Sequence, residues 1–187
     1  MGKVYEGISG ELSAWVAKQP MFFVGTAPFA ASGHVNISPK GLDTLRIVGP
    51  DRVAYLDLTG SGAETIAHVR ENGRIVIMFC AFSGPPKIVR FHGRARIVTP
   101  QSKDWSGLRE LFAAHMGARA IIDVAVTRVS DSCGYGVPSF GPATQREALD
   151  LWTKKRGAEG LVTYRRQKNA VSIDGLAAFE AEDEPAA

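Results

Sequence analysis

Two segments of this 187-residue chain concentrate the residue types that could do chemistry: residues 34–41 (HVNISPKG) and 55–68 (YLDLTGSGAETIAH). Each sets small polar residues and glycine beside a strand-like apolar run, and the first carries a lysine just before its final glycine. A rigid sheet presents donors to a phosphorylated cofactor in this way, using backbone N–H groups, hydroxyls and one cation. Ser61 and Glu64 stand at Ser-x-x-Glu spacing, which reads equally as a helix capping box. Gly60-x-Gly62 lacks the third glycine and downstream acid of a dinucleotide fingerprint and opens no Walker loop.

Other chemistries find less support. His34, His68, His92 and His115 are dispersed, with no HxH, HExxH or mixed Cys/His ligand spacing, so no protein-built metal site is expected. No GxSxG nucleophile motif is present. Cys80 lies in an apolar run and reads as a small buried hydrophobe. Cys133, between Ser132 and Gly134, has no neighbouring base to activate it. Trp15, Trp105 and Trp152 sit at helical spacing among apolar residues and read as core or interface anchors.

The elements that must position these residues follow an alternating order. Ser9 can cap a helix carrying Leu12, Trp15 and Val16 on one face, with Pro20 beyond its end. Residues 21–26 and 34–38 read as a hairpin, the second strand placing Val35 and Ile37 opposite Asn36 and Ser38. Residues 44–48 and 52–58 flank the Gly49-Pro50-Asp51 turn as a second hairpin. A helix starting near Ser61 stops at Asn72-Gly73. Residues 74–82 and 87–98 are expected to be the longest strands, with a helix from Pro100 to His115 and a last strand at 120–129. Loop 130–142, rich in glycine and proline yet apolar, should pack against the body. Two short helices, 144–156 and 159–168, meet around Gly157, and residues 169–179 are turn-rich. The expected class is mainly β with inserted helices. Residues 1–130 form the main domain and 131–187 a loop and helical annex, with an acidic, disordered tail from about 180.

Composition bounds the partners. Four of the 19 acids fall in the last eight residues, leaving a body of 22 basic against 15 acidic groups. Such a body attracts anions, yet its clusters, Lys154-Lys155-Arg156 and Arg165-Arg166 with Lys168, form no basic stripe interleaved with stacking aromatics, so nucleic acid is not the expected partner. Two unpaired-looking cysteines, no leader-like start and no membrane-length apolar run point to a cytoplasmic protein.

Over residues 21–129 the chain resembles the pyridoxamine 5'-phosphate oxidase-like family, the FMN-binding split β-barrels. The resemblance is carried by Ser38-Pro39-Lys40-Gly41, by residues 55–62 (YLDLTGSG) before a helix, by Glu71-Asn72-Gly73 before residues 74–79 (RIVIMF), and by Phe91-His92-Gly93-Arg94-Ala95. Residues 131–138 (DSCGYGVP) and the run from Lys168-Asn169-Ala170 to Asp174-Gly175 look like an uncharacterised bacterial branch.

The resemblance implies a split β-barrel with a helical C-terminal annex, and a homodimer holding FMN in clefts between subunits. It implies Lys40 as the cation beside the flavin's pyrimidine edge, with Asn36, Ser38 and Gly41 pairing with ring heteroatoms. Thr59, Ser61, Gly62 and Thr65 would surround the phosphate. Where the oxidases carry an Arg-Lys pair for that phosphate, this chain has Glu64 and Thr65, so either Arg90, Arg94 or a partner subunit supplies the charge or the phosphate shifts to other donors. The function implied is FMN-dependent oxidation or reduction of a small molecule. A non-catalytic holder of flavin, F420 or haem, and a cofactor-free dimeric interaction module, are the alternatives.

Overall fold

The computed structural model describes residues 2–184. Local chemistry starts the fold. After the short β1 (Val4–Tyr5), the Ser9 side chain accepts from the Leu12 N–H at 3.2 Å and starts α1 (Gly10–Val16), whose Leu12 and Val16 are buried. β2 (Phe22–Thr26) pairs antiparallel with β3 (Asn36–Lys40), and β4 (Leu45–Gly49) with β5 (Arg52–Leu58), giving both expected hairpins. α2 (Glu64–Asn72) stops where Gly73 turns left-handed at φ 70°, a conformation that glycine adopts without strain, and returns its N–H to the Val69 carbonyl.

β6 (Arg74–Cys80), β7 (Ile88–Val98) and β8 (Ala118–Ser132) complete the sheet, with α3 (Trp105–Arg109) before β8 and α4 (Ala148–Lys168) after it. The order is β3-β2-β6-β7-β8-β5-β4, antiparallel at every one of these pairings, with β1 antiparallel on β8. The two ends of this path curl toward each other, so that Lys40 of β3 reaches Asp57 of β5. Tyr55, Phe79, Phe91, Ile66 and Ile77 fill the interior almost without exposure. Phe22 packs edge-on to Tyr55 at 5.6 Å, and Phe79 to Phe91 at 5.3 Å.

Several elements depart from expectation. β8, at 15 residues, is the longest strand, followed by β7 at 11, while β6 has 7. β8 carries on to Ser132 because Ser132 and Asp131 still pair with Ile88 and Val89. The helix expected over 100–115 contracts to α3, the surrounding residues forming turns. α4 starts at Ala148 rather than 144 and is two helices merged across Gly157, at φ 66° and ψ 176°.

The acidic end does not fray within the described residues. Residues 181–183 form a short 3-10 turn. Asp183 and Glu184 are buried, Asp183 against Arg70 and Glu184 against Arg165 at 2.8 and 2.5 Å. No helix among the described residues is long and apolar enough to cross a membrane.

Candidate functional site

Lys40, the last residue of β3, donates its ammonium to Asp57 at 3.0 Å, and Arg119 of β8 donates to the other oxygen of that carboxylate at 2.6 Å. Asp57 and Arg119 are buried, while the Lys40 side chain keeps 22% exposure. Burial by itself would push the Asp57 carboxyl up, but Arg119 and Lys40 together outweigh it and hold the group below the usual carboxylate range. The triad carries two cations against one anion, and Lys40 is the member that meets solvent. Tyr55 lies beneath, its ring 5.9 Å from the ammonium and its phenol pushed well above the ordinary value by burial.

Beyond Lys40 the chain turns through a strained corner. Leu42 and Asp43 both adopt left-handed backbone, at φ 59° and 53°, which costs roughly 1–2 kcal/mol for each non-glycine residue. Gln145 holds the corner by accepting from Leu42 N–H at 3.1 Å and donating to the Pro20 carbonyl at 3.0 Å; Thr44 donates to the Gly41 carbonyl at 2.7 Å. A Cβ on Gly41 would stand 3.1 Å from the Gln145 side-chain oxygen.

This corner forms one wall of a cavity of about 1050 Å³. Residues 140–149 form the other, anchored where Phe140 N–H donates to the Phe82 carbonyl and the two rings stand 5.4 Å apart. The glycine-rich loop thus meets the body at Phe140, while Tyr135 and Phe140 themselves stay exposed.

The polar face of β3 carries a second cluster. Asn36 donates to the hydroxyls of Thr26 and Thr65 at 3.2 and 3.1 Å, and Ser38 donates to the Asn36 side-chain Oδ1 at 3.1 Å. Thr26 also bonds His68 Nδ1 at 3.0 Å, and His68 Nε2 is buried without a partner. Asn36, Ser38 and Thr65, expected to face a ligand, are thus brought together but bond chiefly to one another.

The start of α2 differs most from the sequence reading. Its N-cap is Ala63, with no side-chain cap, so the Ser61–Glu64 capping box does not form. Glu64 instead accepts from Ile173 N–H through both oxygens, at 3.3 and 3.2 Å. Residues 169–184 lie over this end as a strap: Asn169 donates to the Gly60 carbonyl at 3.0 Å, and Asp174 binds His34 at 2.6 Å. Ser61 and Gly62 stay exposed, whereas Thr59 is buried, donating to the Gly117 carbonyl and accepting from Arg165.

Arg90 donates to Ser132 on the β7–β8 ladder, and Arg94 donates to the Asn72 carbonyl at the opposite, C-terminal end of α2. Arg119 is the arginine behind the turn, donating to the Gly62 carbonyl at 2.9 Å and keeping a buried Nη1 without a partner. Sequence reasoning missed it, along with Asp57 and Gln145. The available signal was one acid and one arginine set in otherwise apolar strands, Tyr55-Leu56-Asp57-Leu58 and Arg119-Ala120-Ile121-Ile122. Two opposite charges in such runs require each other.

Among the described residues no group of three or more His, Cys, Asp or Glu stands together as a metal site, and Cys80 and Cys133 are free thiols, one buried and one exposed.

Comparison with known proteins agrees with this architecture. The chain is 36% identical over 191 residues to the pyridoxamine 5'-phosphate oxidase family protein ustO of Aspergillus flavus, covering 92% of this chain and 76% of that one. Among solved structures, a variant of HupZ from Group A Streptococcus superposes with a TM-score of 0.54 at 23% identity, over 67% of this chain and 99% of that one. A pyridoxamine 5'-phosphate oxidase-like protein of Lactobacillus delbrueckii gives 0.52 at 14% identity, over 68% and 98%. These two likenesses speak to the fold, a split barrel. The family model described as pyridoxamine 5'-phosphate oxidase matches residues 8–133, and the chain belongs to that family.

Proposed function

We propose that this chain binds a flavin, FMN, and uses it to oxidise or reduce a small organic molecule. The observation that carries the reading is Lys40: a lysine seated on a buried Asp57–Arg119 pair, at a strained corner, beside a cavity of about 1050 Å³. A reduced flavin is anionic along its pyrimidine edge, and a fixed cation of this kind raises its electron affinity. Lys40 and Gly41 would hold that edge. The N-terminal turn of α2, with Ser61, Gly62 and the positive charge of Arg119 behind it, would receive the phosphate. The unpartnered Arg119 Nη1 and the uncapped helix start suit an anion there. Hydride chemistry belongs to the flavin; the protein's part is orientation, charge and exclusion of water by the 140–149 wall.

A second reading, a flavin holder without turnover, is favoured by one observation. Glu64 and the strap sit at the helix start where the phosphate charge would fall.

The deciding experiment is the absorbance spectrum of protein as purified and after adding FMN, followed by anaerobic reduction with NAD(P)H or dithionite. A bound flavin spectrum that bleaches is expected, and Lys40→Ala should weaken retention or slow reduction. Colourless protein that ignores added FMN would sink the reading. A Soret band would transfer the cleft to haem, and flavin that dithionite but no organic substrate bleaches and restores would favour the holder.

A further inference from the structure

Building on the flavin reading of the Lys40 end, we propose that the substrate is an amphipathic organic anion, with a planar apolar body and one carboxylate or phosphate, taken up between Leu42 and the 140–149 wall. The cavity walls are supplied largely by Met21, Pro39, Leu42, Phe82, Phe140 and Leu149. Its charged lining consists of Lys18, Lys40 and Arg146, with no aspartate or glutamate. Lys40 is already committed to Asp57. Lys18 and Arg146 have no ion-pair or side-chain hydrogen-bond partner among the described residues, so they add two uncompensated charges to the net single positive charge of the Lys40–Asp57–Arg119 triad.

That arrangement discriminates among ligand classes. An organic cation would be repelled, and a neutral apolar molecule would leave both side chains unused. A sugar-like polyol would leave the phenylalanine and proline walls without contact. An aromatic acid satisfies both requirements, its ring against the Phe82–Phe140 pair and its anion at the rim. Two tethers hold this wall to the body: the Phe140 N–H to Phe82 bond is 2.8 Å, and Gln145 bridges the 140–149 segment to Leu42 and Pro20.

The test uses full-length protein, as purified and after adding FMN. Displacement of 1-anilinonaphthalene-8-sulfonate, an aromatic sulfonate, is followed with cinnamate, cinnamyl phosphate and cinnamyl alcohol as competitors. The acid or the phosphate should compete about tenfold better than the alcohol. The double variant Lys18→Glu/Arg146→Glu should remove that preference while alcohol competition and flavin content persist. Phe140→Ala should weaken all three. Equal competition by acids and alcohol overturns the proposal. So does charge reversal that weakens FMN but not riboflavin, because the rim would then serve the cofactor's own phosphate. Protein that takes no flavin yet shows the Arg146-dependent preference overturns the cofactor reading and keeps the anion site.

Discussion

The charge balance around Asp57 decides what the candidate site can tolerate. Removing one partner of a buried ion pair leaves an uncompensated charge in a low-dielectric interior, a loss of about 3–5 kcal/mol. Asp57→Asn strands Arg119, which is 4% exposed, and should lose stability on that scale in urea unfolding. Lys40→Met should lose less, because its ammonium is partly solvated and the Asp57–Arg119 pair survives. The acid limb supplies a second check. Asp57 is held below the usual carboxylate range, so its contribution is complete above the unfolded pKa of about 3.9 and is lost as pH falls through the lower folded value. Asp57→Asn should flatten that part of the acid-unfolding profile, and an unchanged profile would show that other carboxylates set it. At this scale the sequence exposed Lys40, through its place before glycine at a strand end, but hid its counter-ions. The ion pair joins strands from opposite ends of the sheet order, and no local pattern records how far the sheet curls.

Helices and strands were legible where local chemistry decides them and obscure where distant segments compete. Ser9 caps α1 and Gly73 ends α2 because both act within a few residues. Ser61 and Glu64 have the same local credentials and fail, because the strap at residues 169–184 offers Glu64 a backbone N–H from more than a hundred residues away. The strap itself could be read as turn-rich, but its clasps, Arg165–Glu184 and Arg70–Asp183, could not.

One clasp titrates. Hydrogen bonding and attraction from Asp174 raise the His34 pKa, with a smaller contribution from Glu64, and His34 lowers that of Asp174 in return. A raised histidine stabilises the folded contact fully below its unfolded pKa, about 6.5, and loses that contribution as pH rises through the folded value. Hydrogen exchange of the 169–178 amides, corrected for intrinsic rates, should therefore quicken from pH 6 to pH 9, and His34→Ala should abolish the difference. Equal protection at both pH values in the parent protein would mean that Asn169 and the Glu184 clasp hold the strap alone.

For the molecule as a whole, the unsatisfied feature is β3. It stands at the end of the sheet order with only β2 beside it, leaving a row of backbone groups and an outward face unpaired. The sequence alternation was correct in placing Val35 and Ile37 opposite Asn36 and Ser38, yet the apolar pair faces outward, at 72% and 69% exposure, while the polar pair turns inward. An inverted strand of this sort asks for a cover. The His34–Asp174 pair brings Ile173, 72% exposed, to the same neighbourhood. We propose that a second copy of the chain, the homodimer that the family resemblance implies, covers this face with one isologous contact and also encloses the Lys40 edge. Two-fold symmetry makes every substitution act twice. Burying an isoleucine side chain is worth about 1.5–3 kcal/mol, so Ile37→Lys should weaken dimerisation by at least about a hundredfold. Sedimentation equilibrium is expected to show a dimer for the parent chain and a monomer for the variant at the same concentration, with far-ultraviolet circular dichroism unchanged. A parent chain that sediments as a monomer, or a variant that remains dimeric, would leave β3 uncovered and move the interface elsewhere.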